Sequence, residues 1–222
     1  MITKLIHFSF LGLVFAFSGA SGFCQGITFL SNLNELSVGG IAVGLNSQLS
    51  SSFTTGDNVL GYRLDSVQLK MGQPNGNPNN FSISIYRPAR SEGPGSLLAT
   101  LSGAPPLTSG IFTYSTTDVL LSPLSRYWLV LRSDTPVANG SFTSNLTSSS
   151  NFESGGGWSM RTGYDLSTDG INWSVVANTP LQFAINASVV PEPSSLVLLG
   201  VGGSFLFARL ARKSRSKALR QP

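Results

Sequence analysis

Short runs of alternating apolar and polar residues fill positions 26–190, and no stretch there keeps an apolar period of three to four. A period of two puts successive side chains on opposite faces of a strand, so such a chain forms sheets rather than helices. In Phe81-Ser-Ile-Ser-Ile-Tyr-Arg87, the side chains of Phe81, Ile83 and Ile85 share one face and Ser82, Ser84 and Tyr86 the other. Val67, Leu69 and Met71 likewise oppose Gln68 and Lys70. Tyr127-Trp-Leu-Val-Leu131 is apolar on both faces, which predicts a central strand covered on both sides. Comparable runs predict strands over 38–45, 49–54, 62–71, 81–87, 97–101, 111–115, 126–132, 140–145, 158–166, 171–177 and 181–189. Gln73–Asn80 and Arg90–Gly95 read as turn-rich loops, and Asp169-Gly170 is the residue pair a type I′ hairpin turn favours. Many short strands between such turns imply an all-β domain over 26–188, a jelly-roll-like antiparallel β-sandwich. Phe81, Ile83, Ile85, Leu129, Leu131, Phe183 and Ile185 are its expected core face.

The two ends of the chain are built differently. Lys4, the apolar run Phe8–Phe17 and the small residues Ser18-Gly-Ala20 and Gly22 predict a secretory signal peptide over 1–24 and export by the Sec translocase. Phe23 is too bulky to precede a lipidated Cys24. At the other end, Pro191-Glu192-Pro193 precedes the apolar run Leu196–Ala208, and six cations follow: Arg209, Arg212, Lys213, Arg215, Lys217 and Arg220. With its flanks this run spans 194–210, about 17 residues, near the lower limit for a transmembrane helix. Trailing cations stay on the cytoplasmic side as stop-transfer charges, which leaves the domain outside the inner membrane. The two prolines hold Val190 and Glu192 extended, a shape that suits a protease cleft.

Charge and residue types exclude much chemistry. Seven basic and nine acidic side chains lie in 26–190, a net of −2, so no basic surface invites nucleic acid. The one His, His7, and the one Cys, Cys24, both precede this span. Triads using His or Cys, metal sites of imidazole or thiolate, and disulfides are therefore excluded from it. No catalytic residue and no metal or cofactor site is expected. Oxygen ligands for Ca2+ exist in Asp57, Asn58, Asp65, Asn77, Asn79 and Asn80, but without EF-hand spacing. A carboxylate pair of the glycoside hydrolase kind remains a third alternative. Aromatic rings stack on sugars when exposed, which makes Tyr62, Tyr114, Tyr164, Trp158 and Trp173 candidates. Trp158 follows three glycines and Trp173 follows a tight turn, so these two are expected near a rim as sugar-stacking residues, with Trp128 in the core.

Two stretches carry a resemblance. Val190-Pro-Glu-Pro-Ser-Ser-Leu-Val-Leu-Leu-Gly200 and the basic end resemble the PEP-CTERM sorting signal over 189–222. That resemblance implies recognition and cutting by the membrane-embedded exosortase, with Pro191, Glu192 and Pro193 as the processing motif, and release to the cell surface or medium in a bacterium that makes exopolysaccharide and biofilm. Gln48–Gly56, Tyr62–Leu69, Phe81–Tyr86, Leu98–Gly103, Tyr127–Leu131, Gly155–Ser159, Ser167–Trp173 and Gln182–Ala187 in this order resemble the choice-of-anchor R domain. That family implies display at the surface without catalysis. Ser167–Trp173 is also similar to an Asp-box turn, one residue short. Together these readings imply an exported, exosortase-sorted surface or matrix protein without catalytic activity. The alternative is a carbohydrate-binding module for matrix polysaccharide.

Overall fold

A computed structural model describes residues 26–89, 93–176 and 178–191. Its strands, in chain order, are β1 (Ile27–Ser31), β2 (Ser37–Val43), β3 (Gln48–Thr54), β4 (Tyr62–Gly76), β5 (Ser82–Pro88), β6 (Pro94–Leu101) and β7 (Gly110–Leu121). They continue with β8 (Arg126–Arg132), β9 (Gly140–Thr147), β10 (Glu153–Ser154), β11 (Ser159–Met160), β12 (Tyr164–Ser167), β13 (Ser174–Val176) and β14 (Phe183–Val189).

Among the described residues these strands form two antiparallel seven-stranded sheets, so the domain is an all-β sandwich. Sheet one runs β10-β1-β14-β4-β9-β2, with β7 on the other edge of β4. Met71 shows the arrangement: it pairs with Gly110 of β7 on one side and Ser144 of β9 on the other, whereas Leu69 pairs with Phe112 and Phe183. β14 and β9 thus succeed one another along one edge of β4. Sheet two runs β13-β12-β3-β8-β5-β6, with β11 continuing after β12 along β3. Reciprocal backbone bonds between Ser102 and Ser115, 2.9 and 2.8 Å, tie the end of β6 to β7 and join the two sheets along one side.

Alternation decides which residues enter the core. Leu49, Phe53, Ile83, Ile85, Leu129 and Leu131 from sheet two meet Leu64, Val67, Leu69, Phe183 and Ile185 from sheet one, all fully buried. Burial of each such side chain contributes about 1.5–3 kcal/mol, and with no Cys in 26–190 this core carries the stability. Phe81 lies just before β5, half-buried, and packs on Tyr114 and Phe142 with centroids 5.7 and 5.1 Å apart. In β4 the pairing slips at Asp65, so Leu64 and Val67 both face inward although three residues apart.

Four expectations need correction. β4 continues through Pro74 to Gly76, where a loop was expected: its pairing with β9 slips between Gly72 and Asn75, and a proline there needs no N–H partner. The run over 158–166 divides into β11 and β12 around Arg161–Gly163. β1 is an additional strand, as is the short β10. The β12–β13 connection is no two-residue turn, because Leu166 pairs with Ser174 and only Gly170 there has positive φ, +74°, whereas type I′ needs two such residues.

Candidate functional site

The C-terminal exit is the first site to place. β14 is an interior strand between β1 and β4, and its last residue, Val189, pairs with Tyr62. Val190 then donates its N–H to the Gly61 carbonyl at 3.2 Å, and Pro191 is exposed. The chain therefore leaves the sheet within two residues of its last strand. Glu192, Pro193, the span expected at 194–210, the cations Arg209, Arg212, Lys213, Arg215 and Lys217, and the signal peptide expected at 1–24 lie outside the described residues. Among the described residues no helix is long and apolar enough to cross a membrane.

The expected sugar-stacking role of Trp158 does not survive. Its side chain is 2% exposed and lies between the sheets, against Phe29 of β1 at 5.3 Å, Phe53 of β3 at 5.8 Å and the edge of Tyr62 at 5.0 Å. The glycines before it form a tight turn, in which the Trp158 N–H bonds the Gly155 carbonyl at 3.2 Å, and do not expose it. Gly156 and Gly157 take φ of +57° and +78°, and a β-carbon on Gly56 would stand 1.6 Å from the Gly156 carbonyl oxygen. A side chain at 56 would block this approach, whereas at 156 and 157 glycine serves the positive φ, since β-carbons there would meet nothing nearer than 3.6 Å. Tyr62, Tyr114 and Tyr164 are buried as well, and burial pushes the Tyr114 and Tyr164 phenols above their usual pKa. Trp173 is half-buried, and a β-carbon on Gly93 would lie 3.9 Å from its Cδ1.

The loop before Trp173 is organised by one carboxylate. Asp169 accepts from the Asn172 and Ile171 backbone N–H groups at 2.8 Å each, from Asn172 Nδ2 at 2.7 Å and from the Ser167 hydroxyl at 3.0 Å. These donors hold its carboxyl well below the usual carboxylate range. The calcium candidates are not brought together. Asp57 and Asn58 sit beyond one end of β4 and Asn77, Asn79 and Asn80 beyond the other, while Asp65 bonds Arg63 at 3.4 Å. Asn80 instead donates to Asp134 at 2.9 Å. Among the described residues no three His, Cys, Asp or Glu side chains form a group that could hold a metal.

A polar face that the strand pattern alone does not reveal lies outside sheet two. Thr54 pairs with Arg126 and with Ser159, Ser52 pairs with Trp128, and the Arg161 N–H bonds the Ser52 carbonyl at 3.0 Å. Ser52, Thr54, Arg126, Ser159 and Arg161, with Met160, line a cleft of about 260 Å3. Arg161 holds both oxygens of the buried Asp165 at 3.0 and 3.3 Å and lies 5.8 Å from the Trp128 ring. Trp128 is buried as expected, yet it stands on this outer face, while its neighbours Leu129 and Leu131 face the core. Hydroxyls at every second position of Ser50–Thr54 were visible in the sequence; the arginines opposite them depend on register, which was not. Hydroxyl and guanidinium donors suit contact with polar oxygen atoms, not proton abstraction.

Comparison with known proteins gives a match at the exit. No curated protein and no solved structure matches the chain. Residues 189–215 match the PEP-CTERM protein-sorting motif, so the last residue of β14 is also the first residue of a sorting signal.

Proposed function

We propose that this chain is an exported surface or matrix protein, sorted by exosortase and acting without catalysis through its sandwich, in association with exopolysaccharide. The single observation that carries the reading is the sorting motif at 189–215, which begins where an interior strand ends. Exosortase, the Sec translocase and the inner membrane are its partners. The segment at 194–210 anchors the precursor with the domain outside, and cutting near Pro191-Glu192-Pro193 leaves β14 in its sheet. The order of sequence motifs over 48–187 supports a choice-of-anchor R type domain, and the absence of His and Cys from 26–190 supports a role in binding or structure.

Intact-mass analysis and fractionation of the native protein, with and without exosortase, test this reading. The expected result is a full-length, membrane-retained chain without the enzyme, and with it a chain shortened near Pro191. Unchanged localisation after deletion of residues 191–222 would overturn the sorting role. A carbohydrate-binding reading is favoured by the hydroxyl-lined cleft on sheet two rather than by Trp158. Affinity electrophoresis against purified matrix polysaccharide tests it, and an unretarded band would count against it.

A further inference from the structure

Both ends of the domain leave the sandwich at one place. Ile27, at the start of β1, pairs with Ala187 near the end of β14, and Pro191 follows two residues after that strand. Two loops flank this exit. Residues 55–61, between β3 and β4, and residues 122–125, between β7 and β8, are tied to each other. Leu124 N–H bonds the Gly56 carbonyl at 2.8 Å and the Thr55 hydroxyl bonds the Ser122 carbonyl at 2.6 Å, while Val190 N–H bonds Gly61.

This end carries aliphatic side chains that the fold does not use. Val59 is 85% exposed, Leu124 72%, Leu120 62%, Ile27 61%, Val189 47% and Leu60 41%. Isolated surface aliphatics are ordinary, but Val59, Leu60 and Leu124 stand together on the two tied loops beside the chain exit. Leu124 adds an independent sign. Its φ is +49°, in the left-handed region where Gly or Asn is far better tolerated, and its side chain gains no burial in return. Charge does not set this end apart either: exposed Arg63 and Arg126 are matched by exposed Asp57 and Asp118.

The tail fixes what this end faces. Only residues 192–195 separate Pro191 from the apolar run that starts at Leu196. The five steps from Pro191 to Leu196 reach at most about 18 Å, and the headgroup layer of one leaflet is itself about 5–8 Å thick. Whatever path the chain takes, the exit end of the domain lies at the bilayer surface while the tail is uncut.

We propose that this end is a lipid-facing surface: Val59, Leu60 and Leu124 enter the interfacial layer of the outer leaflet of the inner membrane and hold Pro191–Pro193 at its surface. The inference rests on the reading of the tail as a membrane span. The attachment is apolar and uncharged overall, so it is insensitive to salt. It ends when the tail is cut, because three aliphatic side chains without an anchor hold a domain only weakly.

Depth-dependent quenching in the full-length chain tests it. In a Cys24→Ser background, an environment-sensitive fluorophore is placed at Val59→Cys, at Leu124→Cys, or at Leu107→Cys. Leu107 is exposed and lies in the loop before β7, at the opposite end of the sandwich. The chain is reconstituted into phosphatidylcholine vesicles carrying a spin label high on the acyl chain. Quenching at 59 and 124 is expected to exceed that at 107 severalfold and to be unchanged in 0.5 M salt (about 0.5 M suffices to shorten the Debye length to a few ångströms). Equal quenching at all three sites in a chain that resists alkaline extraction overturns the lipid surface alone. A chain released by alkali overturns the span, and this inference with it. Quenching or shielding that needs co-reconstituted exosortase assigns the surface to the enzyme and overturns the lipid reading. The variant Leu124→Gly relieves the backbone, so it folds. With Val59→Ser and Leu60→Ser added, it is expected to raise cleavage at 189–195 by an added protease severalfold.

Discussion

Trp158 joins the two sheets through ring contacts with Phe29 on one and Phe53 on the other, so its loss opens a cavity where they meet. Trp158→Ala is expected to destabilise the domain by about 3–5 kcal/mol, read as a drop in the urea midpoint at unchanged slope. Gly56→Ala should also destabilise it, by about 2 kcal/mol or more, because the Gly156 carbonyl occupies the position of the new methyl group. Asp169 gives a pH signature. Its folded-state pKa is depressed by the donors around it, so its contribution to stability is present above the ordinary Asp range, about pH 4. That contribution is lost as pH falls through the lower folded value. Asp169→Asn should therefore flatten the acid limb of the urea midpoint against pH below about pH 4. These residues also show why the place of Trp158 was hard to read in the sequence. Three glycines beside a tryptophan suggest an exposed rim, yet here they turn the chain at positive φ against Gly56 and lay the ring inward on the core aromatics. Residue type does not distinguish the cases; the approach of Gly56, a hundred positions away, does.

The strands were far more legible, because burial on one face writes itself into alternation. β8 runs from Arg126 to Arg132 as its apolar character predicts, and Val67, Leu69 and Met71 of β4 all face the core. Where alternation breaks, so does legibility. Phe29 and Leu30 are adjacent in β1 and both buried, since the pairing with β14 slips between Thr28 and Leu30; a five-residue strand with two neighbouring inward residues has no period to detect. β14 bears most on the proposed processing. It pairs with both β1 and β4, so the sheet depends on it, yet the sorting motif starts at its last residue. A chain ending at Pro191 should keep the unfolding midpoint of the full-length protein. One ending at Pro180 loses β14 and should be unfolded at 25 °C, by loss of the near-ultraviolet circular dichroism signal. A severe loss of stability on removal of 192–222 alone would show that processing cannot occur on the folded domain.

For the whole molecule, the proposed balance between retention and release rests on a weak apolar segment. Leu196–Ala208 holds eight large apolar residues, Leu196, Val197, Leu198, Leu199, Val201, Phe205, Leu206 and Phe207, each favouring insertion by about 0.3–0.6 kcal/mol, or about 2–5 kcal/mol in sum. Gly200, Gly202, Gly203 and Ser204 offset part of that. On the proposed reading, a segment this marginal needs its trailing cations to halt translocation, whereas cleavage needs the motif before it. The two requirements separate by mutation. With Arg209, Arg212, Lys213, Arg215 and Lys217 all changed to Ser, the chain should pass through the membrane and be recovered outside at full length, uncut at Pro191. With Pro191, Glu192 and Pro193 changed to Ala, it should stay membrane-retained, also uncut. Intact mass and alkaline extraction of both variants in the exosortase-bearing host read the outcome. If both variants instead are cut and released like the parent, neither the cations nor the Pro-Glu-Pro motif governs sorting, and the sandwich must carry its own address.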